Sequence, residues 1–131
     1  MKKQKLLQNQ QGFTLVEIIA VLIILGILAA VAVPRYIDLE SNARQRAIDA
    51  GISELNGRES LTWASQKISI TGYIDDGTLQ SAVDYTLGGD YSWKSRSATG
   101  GVIVFRNTTE ATLNRTESTK SEPATWSRPR P

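Results

Sequence analysis

The hydrophobic positions of the chain are concentrated near its amino end. Residues 18–33 carry no charged or strongly polar side chain, and the apolar stretch reaches back to Phe13 with only Thr14 and Glu17 as polar interruptions. A helix of about 20 residues is roughly 30 Å long, which matches the hydrocarbon core of a bilayer. Leucine, isoleucine and alanine predominate in this stretch and favour a helix. The pattern predicts a transmembrane helix over residues 13–34.

A more polar segment follows at residues 35–65. Its apolar positions recur with the spacing of one helix face, and charged residues occupy many of the other positions. Gly51 and Gly57 each cost such a helix about 1 kcal/mol relative to alanine. We nevertheless expect the first helix to continue to about Ala64, as an amphipathic half that packs on a domain. The apolar stripe consists of Ile48, Ile52 and Leu55.

Pro34 lies at the junction of these two halves. A proline inside a helix removes one backbone donor and clashes with the carbonyl group four residues earlier. We therefore expect a kink or a locally melted turn between Ala30 and Pro34.

Residues 66–116 change to an alternating pattern with frequent turn residues, which predicts a small antiparallel sheet. Gly101–Arg106 is the clearest strand and is apolar enough for a central position. Thr78–Tyr85 fits either a short helix or a strand. The fold class predicted is therefore α+β, a long N-terminal helix packed on a small sheet domain. Further expected elements are a strand at Lys67–Thr71, a hairpin that joins Tyr85–Leu87 to Asp90–Trp93 through Gly88-Gly89, and a weaker strand at Ala111–Arg115.

Residues 117–131 are rich in serine, threonine, lysine, proline and arginine. Such a composition buries little apolar surface, so we expect a flexible tail there.

The absence of cysteine and histidine limits the chemistry of the chain. Without them the chain has no Cys/His zinc site, no cysteine nucleophile and no histidine-based triad. The remaining carboxylates, lysines and serines show no spacing that singles out a catalytic pair, so we expect no enzyme activity. The loop aspartates carry the carboxylate oxygens that bind calcium, but their spacing is not that of a calcium loop and is typical of turn residues. We therefore expect neither a metal ion nor a cofactor. These aspartates are Asp75, Asp76, Asp84 and Asp90.

The formal charge of +2 depends on the amino end of the chain. Without Lys2, Lys3 and Lys5 the count of 15 basic against 13 acidic residues becomes 12 against 13, a balance of −1. A nucleic-acid partner is therefore not expected.

The run Gly12-Phe13-Thr14-Leu15-Val16-Glu17, preceded by a basic leader and followed by the apolar stretch, resembles the N-terminus of type IV pilins and of type II secretion pseudopilins. The resemblance covers residues 2–36. It implies a leader of residues 1–12, cleavage between Gly12 and Phe13 by a prepilin peptidase, and N-methylation at Phe13. Gly26 and Pro34 fall where this family often has a helix-loosening glycine and proline.

By this resemblance the chain is a structural subunit of a filament, either a type IV pilus or a secretion pseudopilus, as a major or a minor subunit. The implied partners are other copies or other pilin-like subunits, membrane lipid before assembly, the prepilin peptidase, an inner-membrane platform protein and an assembly ATPase. The implied location is the bacterial inner membrane, with a cytoplasmic N-terminus and a periplasmic globular domain. Assembly then places the subunit in a periplasmic or extracellular filament.

Glu17 is a carboxylate set one turn inside the apolar helix, and two interpretations of it were compared. An acid near a helix N-terminus gains about 0.3–1 kcal/mol from the helix dipole. The family resemblance instead implies a pair with the N-terminal amine at Phe13 of a neighbouring subunit during assembly. Because desolvation of the two charges is costly, a pair of this kind stabilises the filament little and mainly selects the position of one subunit relative to the next.

A hypothesis of another class is an uncleaved, single-pass protein that anchors a binding domain to the membrane. The mass of the native chain distinguishes the two, because only the filament subunit begins at a methylated Phe13.

Overall fold

One long helix dominates the computed structural model, which describes residues 12–129. This helix, α1, runs over Leu15–Ile68 and is followed by a short helix, α2, at Asp76–Ala82. Four strands complete the chain and confirm the α+β class. They are β1 at Tyr91–Ser97, β2 at Gly100–Phe105, β3 at Thr109–Thr116 and β4 at Thr125–Ser127. Residues 1–11 of the expected leader and the last two residues of the expected tail lie outside the described part of the chain.

The chain divides after Glu40 into two compact units. In the first unit, every residue from 12 to 40 is exposed. These exposed residues include large apolar ones such as Leu22, at 62%, and Leu28, at 61%. The apolar half of α1 therefore has no core of its own to bury it.

The second unit has its core between the amphipathic part of α1 and one face of the sheet. The strands are antiparallel neighbours in the order β1-β2-β3-β4, so β2 is an internal strand as the sequence predicted. The predicted strand near Ala111–Arg115 is also confirmed, as part of β3. Apolar residues of both helices and of three strands are buried together. They are Ile48, Leu55, Leu79, Ile103, Leu113 and Trp126.

Gly51 has a packing role that explains a helix-destabilising residue in mid-helix. A β-carbon at this position would lie 3.0 Å from Cε1 of Tyr91. The Tyr91 hydroxyl donates a hydrogen bond to the carbonyl oxygen of Ala47 at 2.8 Å. The missing side chain thus lets β1 approach α1 closely enough for a tyrosine to lie across the helix.

The sequence prediction for Lys67–Thr71 is wrong, because α1 continues to Ile68 and a turn follows. Side chains near the end of the helix bind the later loop. The indole nitrogen of Trp63 donates to the carbonyl oxygen of Thr119 at 2.9 Å, and Nζ of Lys67 donates to that of Lys120 at 2.8 Å. These contacts stabilise the last turn of α1, where the alternation of apolar and polar residues alone indicated a strand.

The predicted hairpin around Gly88-Gly89 is wrong in its first arm. Residues 83–88 form no strand, and only the second arm, from Tyr91, belongs to the sheet. The carbonyl oxygen of Tyr85 accepts a hydrogen bond from the Trp93 indole at 3.0 Å, and that of Asp84 accepts one from Arg58 at 2.9 Å. Side-chain hydrogen bonds, and not pairing with a neighbouring strand, therefore hold residues 83–88 in place.

The sequence of Thr78–Tyr85 fits either a short helix or a strand. The structure shows the short helix α2 there.

Pro34 lies inside α1, and residues 30–34 are helical, so the melted turn predicted there is absent from the described helix. A proline removes a single backbone donor, and the helix continues on both sides of Pro34.

The end of the chain also differs from the flexible tail expected over residues 117–131. Residues Thr125–Ser127 form β4 beside β3, and Trp126 is buried. The side-chain amide of Asn56 on α1 binds both backbone groups of Trp126: Oδ1 accepts from its N–H at 2.6 Å and Nδ2 donates to its carbonyl oxygen at 3.1 Å. The amide group therefore satisfies the outer edge of β4.

Asn56→Ala is expected to release β4 from α1. Both backbone groups of Trp126 lose their partner, which costs about 1–3 kcal/mol where such groups are buried. Hydrogen–deuterium exchange of residues 124–128 should therefore become faster than in the parent chain. Asn42→Ala, at an exposed position of the same helix, is the matched control and should leave this exchange unchanged. Equal protection of β4 in the two variants would contradict the role of Asn56.

Candidate functional site

The start of α1 carries the residues that the sequence motif singles out. Gly12, Phe13 and Thr14 precede the helix, and Glu17 lies in its first turn. The Glu17 carboxylate accepts hydrogen bonds at Oε2 from the backbone N–H of Thr14 at 2.7 Å and from its hydroxyl at 2.8 Å. In return, the Glu17 N–H donates to the Thr14 hydroxyl oxygen at 3.3 Å. These reciprocal bonds form a capping box, in which Thr14 is the N-cap.

The capping box leaves part of Glu17 available to another molecule. Within residues 12–129 both hydrogen bonds to the carboxylate end on Oε2, so Oε1 receives none. Phe13, the adjacent residue of the motif, is 84% exposed. The arrangement orients a carboxylate at the end of the helix and keeps one oxygen open to a cation from outside the chain.

The other two motif residues lie further along the same helix. A β-carbon at Gly26 would meet nothing within 4 Å, so the described chain itself gives no packing reason for glycine at this position. Pro34 lies 17 residues after Glu17, inside the continuous helix. The structure therefore places Phe13, Thr14 and Glu17 together at the helix start, and Gly26 and Pro34 apart from them.

A comparison with known protein families identifies this segment. Residues 7–33 match the family model described as the prokaryotic N-terminal methylation motif. The resemblance to type IV pilins and pseudopilins is confirmed. By length and composition, α1 is also apolar enough near its start to cross a membrane. It is the one helix within residues 12–129 that meets this description.

Two curated proteins are similar to this chain. The type IV narrow pilus major component PilA5 of Thermus thermophilus is 52% identical over 40 residues, which cover 30% of this chain and 34% of that protein. The type II secretion system core protein G of Klebsiella michiganensis is 29% identical over 117 aligned residues, covering 75% of this chain and 82% of that protein. The aligned part thus spans about a third of the first relative's length. No solved structure gave a significant match.

The second unit of the chain contains a buried carboxylate that sequence reasoning missed. Glu59 on α1 is fully buried. Its Oε1 accepts hydrogen bonds from Nε of Arg115 at 2.7 Å, from the Tyr85 hydroxyl at 2.8 Å and from the Trp126 indole at 3.0 Å. One carboxylate thus joins α1 to β3, to β4 and to the segment after α2. A buried charge is tolerated when it is paired and hydrogen-bonded in this way.

Arg115 extends this network from Glu59 to Asp76 on α2. Its guanidinium group donates to the two oxygens of Asp76 at 2.7 and 2.9 Å, a bidentate pair. The same carboxylate accepts hydrogen bonds from the backbone N–H and the hydroxyl of Ser118, both at 2.7 Å. We call Glu59, Asp76, Tyr85, Arg115, Ser118 and Trp126 the buried polar network. It binds the carboxyl-terminal segment to both helices without a disulfide.

The network shifts the pKa values of its members in directions that maintain it. Burial, together with the hydrogen bond to Glu59, raises the pKa of Tyr85, which stays protonated as a donor. Burial opposes the charge of Arg115, but the hydrogen bonds from its guanidinium to Asp76 and Glu59 dominate and raise its pKa. Burial likewise opposes ionisation of Asp76, yet its bonds with Arg115 and Ser118 lower its pKa overall.

The loop aspartates weighed as calcium ligands all have protein partners. Among residues 12–129 there is no group of three or more acidic side chains placed to hold a metal ion. Asp75 caps α2 by accepting from the N–H of Thr78 at 2.7 Å. The other three form ion pairs, Asp76 with Arg115, Asp84 with Arg58 at 3.3 Å and Asp90 with Arg106 at 3.2 Å.

Two sequence signals could have revealed the network. Glu59 lies four residues after Leu55, so it occupies the next position of the apolar stripe on α1. Arg115 lies two residues after Leu113 and therefore shares the inward face of β3. A charged residue at a core position of a helix and another at a core position of a strand together indicate a buried pair.

Proposed function

We propose that this chain is a structural subunit of a type IV pilin-like filament that is cut between Gly12 and Phe13 by a prepilin peptidase and N-methylated at Phe13. Residues 13–34 hold the subunit in the inner membrane until a platform protein and an assembly ATPase move it into the filament. The N-terminus is cytoplasmic and the globular unit periplasmic before assembly. The segment from residue 35 to the end of α1 at Ile68 is the amphipathic half of the helix, and α2 with β1–β4 forms the sheet domain, in which the end of the chain is the edge strand β4.

The observation that carries this proposal is the exposed apolar surface at the start of α1. Every residue from 12 to 40 is exposed within its own unit. Burying one valine, leucine or isoleucine side chain contributes about 1.5–3 kcal/mol, so a surface with so many of them does not remain in water. Lipid covers it before assembly, and the same helices of other subunits cover it afterwards. Small residues such as Gly26 let those helices approach closely.

Glu17 supplies the register of this assembly. Its Oε1 accepts no hydrogen bond within residues 12–129, and Phe13, whose amine becomes the N-terminus of the cut chain, is exposed. A carboxylate buried among apolar helices needs a cation, and the amine of a neighbouring subunit is one. A mispositioned subunit leaves both charges without a partner.

The secretion pseudopilus is the version of the filament that the comparisons favour. The alignment with the type II secretion core protein G reaches beyond the N-terminal helix into the globular unit, while that with the pilus component covers 40 residues. The alternative of an uncleaved membrane anchor for a binding domain is tested by the same experiment as the proposal.

Processing at Gly12 is the first expected result of this proposal. Mass spectrometry of the native chain should show a mature protein that begins at N-methylated Phe13. Gly12→Leu should keep its leader, because a bulky residue blocks the peptidase, and it should migrate more slowly on a gel. Gly26→Leu is the matched control, since this glycine has open space around it and lies outside the cleavage site. A native chain with an intact Met1 would instead support the uncleaved anchor.

A further inference from the structure

Three isoleucines at one end of the second unit are exposed. Ile68 ends α1, and Ile70 and Ile74 lie in the turn that leads to α2. Relative to the reference area of an isoleucine residue, their solvent-accessible areas are 88%, 107% and 60%. We call these three residues the isoleucine tip. None of them belongs to the core, and isoleucine is among the side chains most often buried, so this exposure needs an explanation.

An open groove lies elsewhere on the same unit, between β1 and the segment that precedes it. It has a volume of about 400 Å³. The Trp93 indole donates to the carbonyl oxygen of Tyr85 and thereby fixes one wall to the other. We call this the aromatic groove. Its lining residues are Val83, Tyr85, Thr86, Leu87, Tyr91 and Trp93, with Asp84 and Arg96 at the rim.

We propose that the isoleucine tip of one subunit binds in the aromatic groove of the next copy of the same chain. The proposal rests on the proposed function, since it concerns the contact between globular units inside the filament. A projection and a groove at different places on one chain form a head-to-tail contact. Such a contact repeats along a filament when the rotation between successive copies does not close into a ring.

The charges beside the two surfaces are complementary. The guanidinium of Arg96 stacks on the Tyr85 ring at 4.1 Å and has no carboxylate partner within residues 12–129. Glu117 and Glu122 are exposed and likewise lack an ion pair in the described chain. The groove thus presents a cation, because Asp84 at the same rim already pairs with Arg58, and the loop of residues 117–122 carries two acids against one lysine, Lys120, so its balance is acidic.

The acidic loop lies beside the isoleucine tip. The Tyr73 hydroxyl, from the turn that contains Ile70, donates to the carbonyl oxygen of Ser118 at 3.0 Å. Trp63 near the end of α1 donates to the carbonyl oxygen of Thr119. Binding of the tip in a neighbouring groove therefore brings Glu117 and Glu122 toward Arg96 of that copy. This match between two surfaces of one chain favours a second copy over an unrelated partner.

The contact is small, and it acts together with the helix contacts. A stable complex between free proteins buries about 1,200–2,000 Å², more than three isoleucines supply. In a filament the N-terminal helices already hold neighbouring copies together, so a weak contact forms at high effective concentration. We expect it to fix the orientation of the globular units.

Cysteine cross-linking of whole filaments tests this contact directly, because the parent chain contains no cysteine. Ile70→Cys combined with Thr86→Cys places one thiol on the tip and one in the groove. Mild oxidation of these filaments should give a ladder of dimers and higher multimers on a non-reducing gel. Ile70→Cys combined with Thr112→Cys, which lies at an exposed position of β3 outside the groove, is the control and should give no ladder.

Charge reversal provides a second measurement that does not depend on thiols. Arg96→Glu should lower the filament yield several-fold, and adding Glu117→Arg and Glu122→Arg should restore it. Filaments that form normally but give no ladder with the groove pair, or a triple variant that does not recover, would overturn the contact and leave the proposed function standing. A parent chain that never appears in filaments would overturn the proposed function and this contact together.

Discussion

Glu59→Ala is expected to destabilise the second unit by about 3–5 kcal/mol, the usual cost of removing one partner of a buried ion pair. The substitution leaves the Arg115 guanidinium with the Asp76 carboxylate and the carbonyl oxygen of Ala98, and the Tyr85 hydroxyl and the Trp126 indole lose their acceptor. Thermal unfolding of the full chain in detergent, followed by tryptophan fluorescence, measures this loss. Trp126 reports on it because it belongs to the network.

Two further variants make the test specific. Glu54→Ala removes an exposed acid of the same helix that pairs with Arg58 four residues later, and it should change the stability by less than about 1 kcal/mol. Glu59→Met combined with Arg115→Met replaces the pair by apolar side chains and should recover part of the loss, although Asp76 then lacks its arginine. A Glu59→Ala protein as stable as the Glu54→Ala protein would contradict the structural role of the network.

Glu17→Gln is expected to lower filament yield more than about tenfold, since loss of one partner of a buried charge pair costs about 2–5 kcal/mol. Glutamine serves at this position of a capping box as glutamate does, so the bonds with Thr14 are kept and only the charge is lost. Cleavage of the leader should continue nearly as in the parent chain. Filaments isolated from cells and measured on a gel, beside the processed subunit in the membrane, give both quantities.

Thr14→Ala is the complementary control for this experiment. It breaks the capping box, at a cost of about 1 kcal/mol, and retains the carboxylate. Its filament yield should therefore exceed that of Glu17→Gln. The opposite order would mean that Glu17 serves the helix start and does not pair with a neighbouring subunit.

The parts of the fold that the sequence predicts are those set by local pattern. The apolar stretch before Pro34 requires a long helix, and the run Gly101–Arg106 suits an internal strand. The short strand β4 has three residues, which is too few for an alternating pattern to be recognised. The strand expected at Lys67–Thr71 failed because contacts with a loop distant in sequence decide the conformation there.

The start of α1 and the buried polar network likewise differ in whether a local sequence pattern reveals them. Gly12, Phe13 and Glu17 are proposed as site residues from the sequence because the methylation motif that contains them is contiguous. The T-x-x-E spacing of Thr14 and Glu17 also indicates a capping box, a signal that the sequence interpretation did not use. Glu59 and Arg115 lie 56 residues apart, so no local pattern pairs them. Only the tertiary structure brings the two charges together.

The side-chain amide of Asn56 has one more consequence. An open sheet edge is a template on which a strand of another molecule can add, and it can seed amyloid-like aggregation. In the membrane-bound state that we propose, neighbouring copies of the chain meet one another before they assemble. Because that amide already occupies the N–H and carbonyl groups at the margin of β4, crowding there does not lead to uncontrolled strand exchange on this side of the sheet.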